Sequence, residues 1–133
     1  MQLIAELDAD ASEVPRARHL LGERLRSWSI EEDVVDTALL LASELVTNAV
    51  RHGRPPVHVH AALSGSGVFR VQVDDASAAP VRPQEPDVED LGGRGLQLVE
   101  LLSTAWGSRL ADVRHDGRTG KCVWFELRTV TAA

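Results

Sequence analysis

The chain has 133 residues, 44% of them hydrophobic and 26% charged, and a formal net charge of −6. That length and apolar share suit one domain, residues 1–133, with a real core, and they exclude wholesale disorder. The acidic balance excludes a broad electropositive footprint for nucleic acid, and the single cysteine, Cys122, excludes an internal disulfide. No apolar run approaches the roughly 18 residues of a membrane span. The opening "MQLIAELDAD" lacks a basic segment and is not a secretory signal, so a cytoplasmic location is expected.

In chain order, "QLIAELDA" reads as a strand, with Leu3, Ala5 and Leu7 alternating against Gln2, Ile4 and Glu6. "DASEVPRARHLLGERLRSWS" reads as a helix. Asp10 and Ser12 are available as caps, and Pro15 falls early, where a missing N–H is harmless. A second helix follows in "SIEEDVVDTALLLASELVTNAVRHG". Ser29 and Glu32 make a capping-box pattern, and Gly53 stands where a left-handed terminator belongs. "RPPVHVHAAL" and "VFRVQVDD" read as strands joined by a tight "GSG" turn. The proline-rich stretch that follows has no periodicity and is expected to be a loop. "GLQLVELLSTAW" reads as a third helix, and the remainder as a hairpin turning near Asp116–Gly120. The order βααββαββ implies an α+β fold, a two-layer sandwich with helices on one face of a mostly antiparallel, mixed sheet.

Three places carry more than fold. On the second helix Glu44 and Asn48 lie about 40° apart around the axis, with Arg51 and His52 continuing the stripe. An amphipathic helix with a wet face would explain polarity there, but Asn is a poor helix former and wants another reason. An Asn carbonyl can be the single protein ligand of a phosphate-bound Mg²⁺, and a carboxylate one turn away can polarise a hydroxyl. Gly92, Gly93 and Gly95 precede the third helix, where unpaired N–H groups and close backbone approach suit an anion, although a simple hinge would read the same way. "GRTGKC" is not a phosphate loop, because the spacing of its glycines is wrong, and it reads as a turn. Asp75 continues the apolar face of Phe69, Val71 and Val73, so its carboxylate is aimed inward and needs a partner such as an adenine amino group. A turn-forming Asp-Asp-x-Ser is the competing reading.

Together "SELVTNAVRHG", "VDDAS", "GGRGLQLV" and "VWFEL" resemble the N, G1 and G2 boxes of the GHKL ATPase superfamily, and specifically the stand-alone anti-sigma-factor serine/threonine kinases of actinobacteria. The resemblance covers essentially the whole chain. It implies a Bergerat-type sandwich that binds ATP with Mg²⁺. Glu44 then matches the catalytic base and Asn48 the metal ligand. Arg51 and His52 fall beside the phosphates, Asp75 reads adenine with Ser77 next to it, and Gly93, Arg94, Gly95 and Leu96 form the glycine box of an ATP lid at about 78–92. Cys122 stands where the family often has a threonine close to adenine, and Ser77 and Ala79 stand where it usually has glycines. The lid's composition predicts that it is not ordered without ligand.

The implied activity is transfer of the γ-phosphate to a serine of a STAS-domain anti-anti-sigma protein, together with sequestration of a sigma factor. The alternative is a nucleotide-gated binding module without kinase activity. A two-component sensor kinase would need a separate dimerising helical domain for which no residues remain. His58 and His60 share a strand face near His52, yet no further ligand at convincing spacing completes a metal site. Trp28, Trp106 and Trp124 suit core or interface positions, and a homodimer stays open.

Overall fold

The computed structural model describes residues 2–7, 12–77, 95–112 and 119–129. Its elements run β1 (Gln2–Leu7), α1 (Glu13–Ser27), α2 (Glu32–His52), β2 (Val57–Leu63), β3 (Val68–Asp75), α3 (Gly95–Leu102), β4 (Ala105–Asp112) and β5 (Thr119–Arg128). The five strands stand in the order β1-β2-β3-β5-β4. Every pairing among them is antiparallel, so the parallel component of the expected mixed sheet is absent among the described residues.

Strand alternation sorts the sheet into two faces. Val57, Val59 and Ala61 of β2, Phe69, Val71 and Val73 of β3, and Val123, Phe125 and Leu127 of β5 are buried together with the helices. From above, Leu21 and Leu25 of α1, Val35, Ala38, Ala42, Leu45, Val46 and Ala49 of α2, and Leu96 and Val99 of α3 complete that layer. Phe69 is its hub. Phe125 and Trp28 both meet it edge-on, with ring centroids 6.5 Å away in each case. Such edge-to-face pairs add to what burial alone contributes. Trp106 also packs on this core, whereas Trp124 lies on the other face beneath the Arg70 guanidinium, 4.3 Å from the ring centroid.

Several local expectations need correction. Ser29 does not cap α2. It stands at φ 60° just beyond α1, its N–H bonded to the Arg26 carbonyl and the Ile30 N–H bonded to that of Leu25. That pair of bonds is the Schellman termination of a helix, with serine in the place glycine usually takes. Glu32 accordingly turns away from a capping role and pairs with Arg26 at 3.0 Å. Nor does the Ser12 side chain make a capping hydrogen bond to α1, and Asp10 lies outside the described residues.

The third helix stops at Leu102, earlier than its apolar run suggests. Ser103 bonds back to Val99, and the Thr104 N–H then joins the sheet at the Glu126 carbonyl, so Ala105 and Trp106 open β4. Thr119 and Gly120, expected in the last turn, are already strand, and the rest of that turn lies outside the described residues. The "GSG" turn does form. Gly67 sits at φ 83°, which glycine adopts without strain, and its carbonyl accepts from both the amide and the hydroxyl of Thr129.

Candidate functional site

The cleft lies where the C-terminal half of α2 crosses the ends of β3 and β5. Leu45, Asn48 and Ala49 form its helical wall, and Val73, Asp75, Lys121 and Val123 its sheet wall, enclosing about 240 Å³ open to solvent. Its floor is apolar and its polar groups are few, an arrangement that orients a flat ligand by hydrogen bonds at one edge.

Asn48 enters this cleft because α2 turns its small and branched residues to the sheet and leaves position 48 at the boundary, half-buried. Glu44, one turn earlier, is also half-buried, and loss of water around its carboxylate raises its pKa. A carboxylate held in that condition is readier to accept a proton near neutral pH than a fully solvated one. Arg51 and His52 are exposed at the last turn of α2.

Asp75 ends β3 facing inward, 2% exposed. Its Oδ1 accepts from the Ser77 N–H at 2.7 Å and from the Arg54 N–H at 3.4 Å. Its Oδ2 stands 3.6 Å from the Lys121 ammonium. Ser77 is buried beside it and contributes its backbone N–H there. The Ala76 N–H bonds to the Arg54 carbonyl, which ties the end of β3 to the segment leaving α2.

Gly53 explains how the two segments come so close. Its backbone is extended, at φ −89° and ψ −164°, so it is not the left-handed terminator expected from its place after the helix. Its value is spatial: a Cβ there would fall 2.5 Å from both the Ala49 carbonyl oxygen and the Asp75 Cγ.

Cys122 requires correction as a ligand-contacting residue. β5 points Lys121, Val123 and Phe125 towards the helices, so Cys122 takes the opposite face. There Gln72 donates to its sulfur at 3.8 Å, and burial together with Asp74 pushes the thiol up to about 11. A thiol so protonated is a poor nucleophile at neutral pH. Lys121 is the residue that lines the cleft instead, and it was legible in the sequence, since counting back from Phe125 and Val123 in twos reaches position 121.

Of the glycine box, Gly95 opens α3 and Leu96 is buried in the core, 5% exposed. Gly93, Arg94 and the expected lid at 78–92 lie outside the described residues. On the outer sheet face His60 pairs with Asp74 at 3.2 Å, and the His58 and His60 rings are 6.4 Å apart. Among the described residues no three His, Cys, Asp or Glu side chains group as metal ligands.

The sequence matches the model of the histidine kinase-like ATPase domain over residues 7–127. The chain belongs to that family. Family membership implies ATP binding and marks the domain as kinase- or ATPase-like. Among solved structures, it is similar to the RsbU and RsbW domains of Rv1364c from Mycobacterium tuberculosis, at 25% identity and a TM-score of 0.70. The match covers 97% of this chain but 32% of that one, so the domain spans about a third of its relative's length. A histidine kinase domain from the Erythrobacter litoralis EL346 blue-light activated histidine kinase matches at 28% identity and a TM-score of 0.45, over 71% of this chain and 44% of that one. No protein of curated function matches the sequence. No helix among the described residues is long and apolar enough to cross a membrane.

Proposed function

We propose that the chain is an ATP-dependent protein serine/threonine kinase of the anti-sigma-factor type, which phosphorylates a STAS-domain anti-anti-sigma partner and holds a sigma factor inactive. The observation that carries the reading is the sharing of one cleft by Asn48 and Asp75, with the desolvated Glu44 carboxylate one turn from Asn48 on the same helix. The similarity over 97% of the chain to a structure described as RsbU and RsbW domains supports the anti-sigma assignment.

In this reading Asp75 accepts a hydrogen bond from the adenine amino group, and its own two backbone donors hold it in that orientation. Asn48 offers a carboxamide oxygen to Mg²⁺, a hard cation satisfied by one or two protein oxygens when phosphates and water supply the rest. The half-buried amide at the cleft's edge fits a metal held chiefly by the nucleotide. When bound, Mg²⁺ would neutralise charge on the phosphates. Glu44 takes the proton of the partner's serine hydroxyl as that oxygen bonds to the γ-phosphorus, and ADP leaves. Arg51 and His52, exposed at the end of α2, would meet phosphate oxygens or the partner, and the glycine box Gly93–Leu96 would serve the ATP lid.

The test is incubation of the protein with a STAS-domain partner and γ-labelled ATP. Label on the partner's serine is expected, lost in Glu44→Ala with ATP binding retained. Binding of ATP without transfer of label would leave a nucleotide-gated module and remove the kinase.

A further inference from the structure

Lys121 is not needed by anything described so far. It sits on β5 between Gly120 and Cys122, on the face that continues as Val123, Phe125 and Leu127, where an apolar residue would be the default. It is 6% exposed. Burying an ammonium is costly unless it is paired and hydrogen-bonded, so its presence asks for a reason.

A counter-ion for Asp75 is the simplest reason, but the geometry goes further. Asp75 Oδ1 already takes two backbone N–H groups, and Lys121 Nζ stands 3.6 Å from Oδ2. A closed ammonium–carboxylate hydrogen bond is about 2.7–2.9 Å. The two groups therefore lie side by side at the cleft wall, an acceptor next to a donor. An ammonium carries three N–H donors and can serve a neighbour while staying near the carboxylate. The Watson–Crick edge of adenine presents the complement, an amino donor on C6 beside a ring acceptor at N1.

We propose that Lys121 is a base-reading residue, its ammonium donating to ring N1 of the adenine whose amino group is held by Asp75. The proposal rests on the nucleotide-binding reading given above. Guanine carries N1–H instead, which turns a donor towards Lys121, so the pair selects ATP over GTP. Lysine here thus contributes to specificity as well as neutralising Asp75.

The experiment is calorimetric titration of the full chain with ATP, GTP and 1-deaza-ATP, in which a C–H replaces N1, each with Mg²⁺. Wild type is expected to bind 1-deaza-ATP at least about tenfold more weakly than ATP, the loss of one charge-assisted hydrogen bond. In Lys121→Met that ratio should fall to near unity. Equal binding of ATP and 1-deaza-ATP by wild type would overturn the proposal, as would the same ratio in wild type and Lys121→Met. The wild-type comparison decides alone should the methionine variant fail to fold. Failure of wild type to bind any of the three nucleotides is a different result, and it would remove the nucleotide-binding reading itself.

Discussion

Gly53 and Asp75 pack against each other so tightly that a single methyl on Gly53 would lie 2.5 Å from the carboxylate carbon. The first residue after α2 and the last residue of β3 are thereby fixed together, with Asp75 anchored by the Arg54 and Ser77 amides on either side. The extended backbone at Gly53 is open to any residue, so the requirement for glycine is one of space.

Gly53→Ala is therefore expected to push Asp75 out of position. Overpacking of this kind costs about 1–3 kcal/mol of stability. Nucleotide affinity should fall at least about tenfold, equivalent to roughly 1.4 kcal/mol. Denaturant unfolding and calorimetry on one preparation would check both, and unchanged affinity would show that the carboxylate does not depend on this packing.

Glu44→Gln should separate catalysis from folding. Loss of a general base lowers phosphoryl transfer by about 10²- to 10⁴-fold. Stability should move the other way. Burial raises the Glu44 pKa above its ordinary 4.5, so the folded state holds the proton more tightly than the unfolded one. The resulting penalty is absent below pH 4.5, grows as pH rises through the folded-state value, and is complete above it. The glutamine variant, which cannot ionise, is expected to melt higher than wild type at neutral pH, with the gap vanishing below pH 4.5. Thermal melts across that pH range would check the sign.

Ser29→Gly should stabilise the protein without touching the cleft. Ser29 holds φ 60° to end α1, a conformation that costs a side-chain-bearing residue about 1–2 kcal/mol. Glycine removes that strain but loses more backbone entropy on folding, leaving a net gain of about 0.5–1 kcal/mol. The midpoint of denaturant unfolding should rise, with nucleotide affinity unchanged.

Gly107→Ala tests the outer face of the sheet. Trp124 lies flat across Gly107, and an added Cβ would meet its ring at 2.7 Å. Since Arg70 stacks on the same indole, the ring has little room to retreat. A loss of about 1–3 kcal/mol is expected in unfolding experiments. Because this face is turned away from the helices, ATP affinity should stay within about twofold, or roughly 0.4 kcal/mol.

Much of this was legible beforehand, for identifiable reasons. Long apolar periodicities at 3.6 and 2 residues specify α2, β2, β3 and β5 almost unaided, and alternation alone turned Asp75 inward. What could not be read depends on contacts made across the chain. Gly53 looked like a helix terminator because its true neighbour, Asp75, is brought to it only by β3 packing under α2. Ser29 suits either the start of one helix or the end of another, and only the Ile30 hydrogen bond to Leu25 decides between them. Lys121 differs from these, since counting back in twos from Phe125 and Val123 reaches it; the adjoining Gly-Lys pair only resembles a turn, and the strand continues through it.

Leu45, Ala49, Val73 and Val123 line the cleft, and all four are also buried members of the main hydrophobic cluster. The floor beneath the ligand is thus the same layer whose burial drives folding. Enlarging Ala49 to plug that hollow would raise melting temperature at the expense of affinity, whereas occupancy by nucleotide should harden the whole domain against heat by mass action. A thermal-shift screen can therefore report on ligands for this protein without any assay of its chemistry.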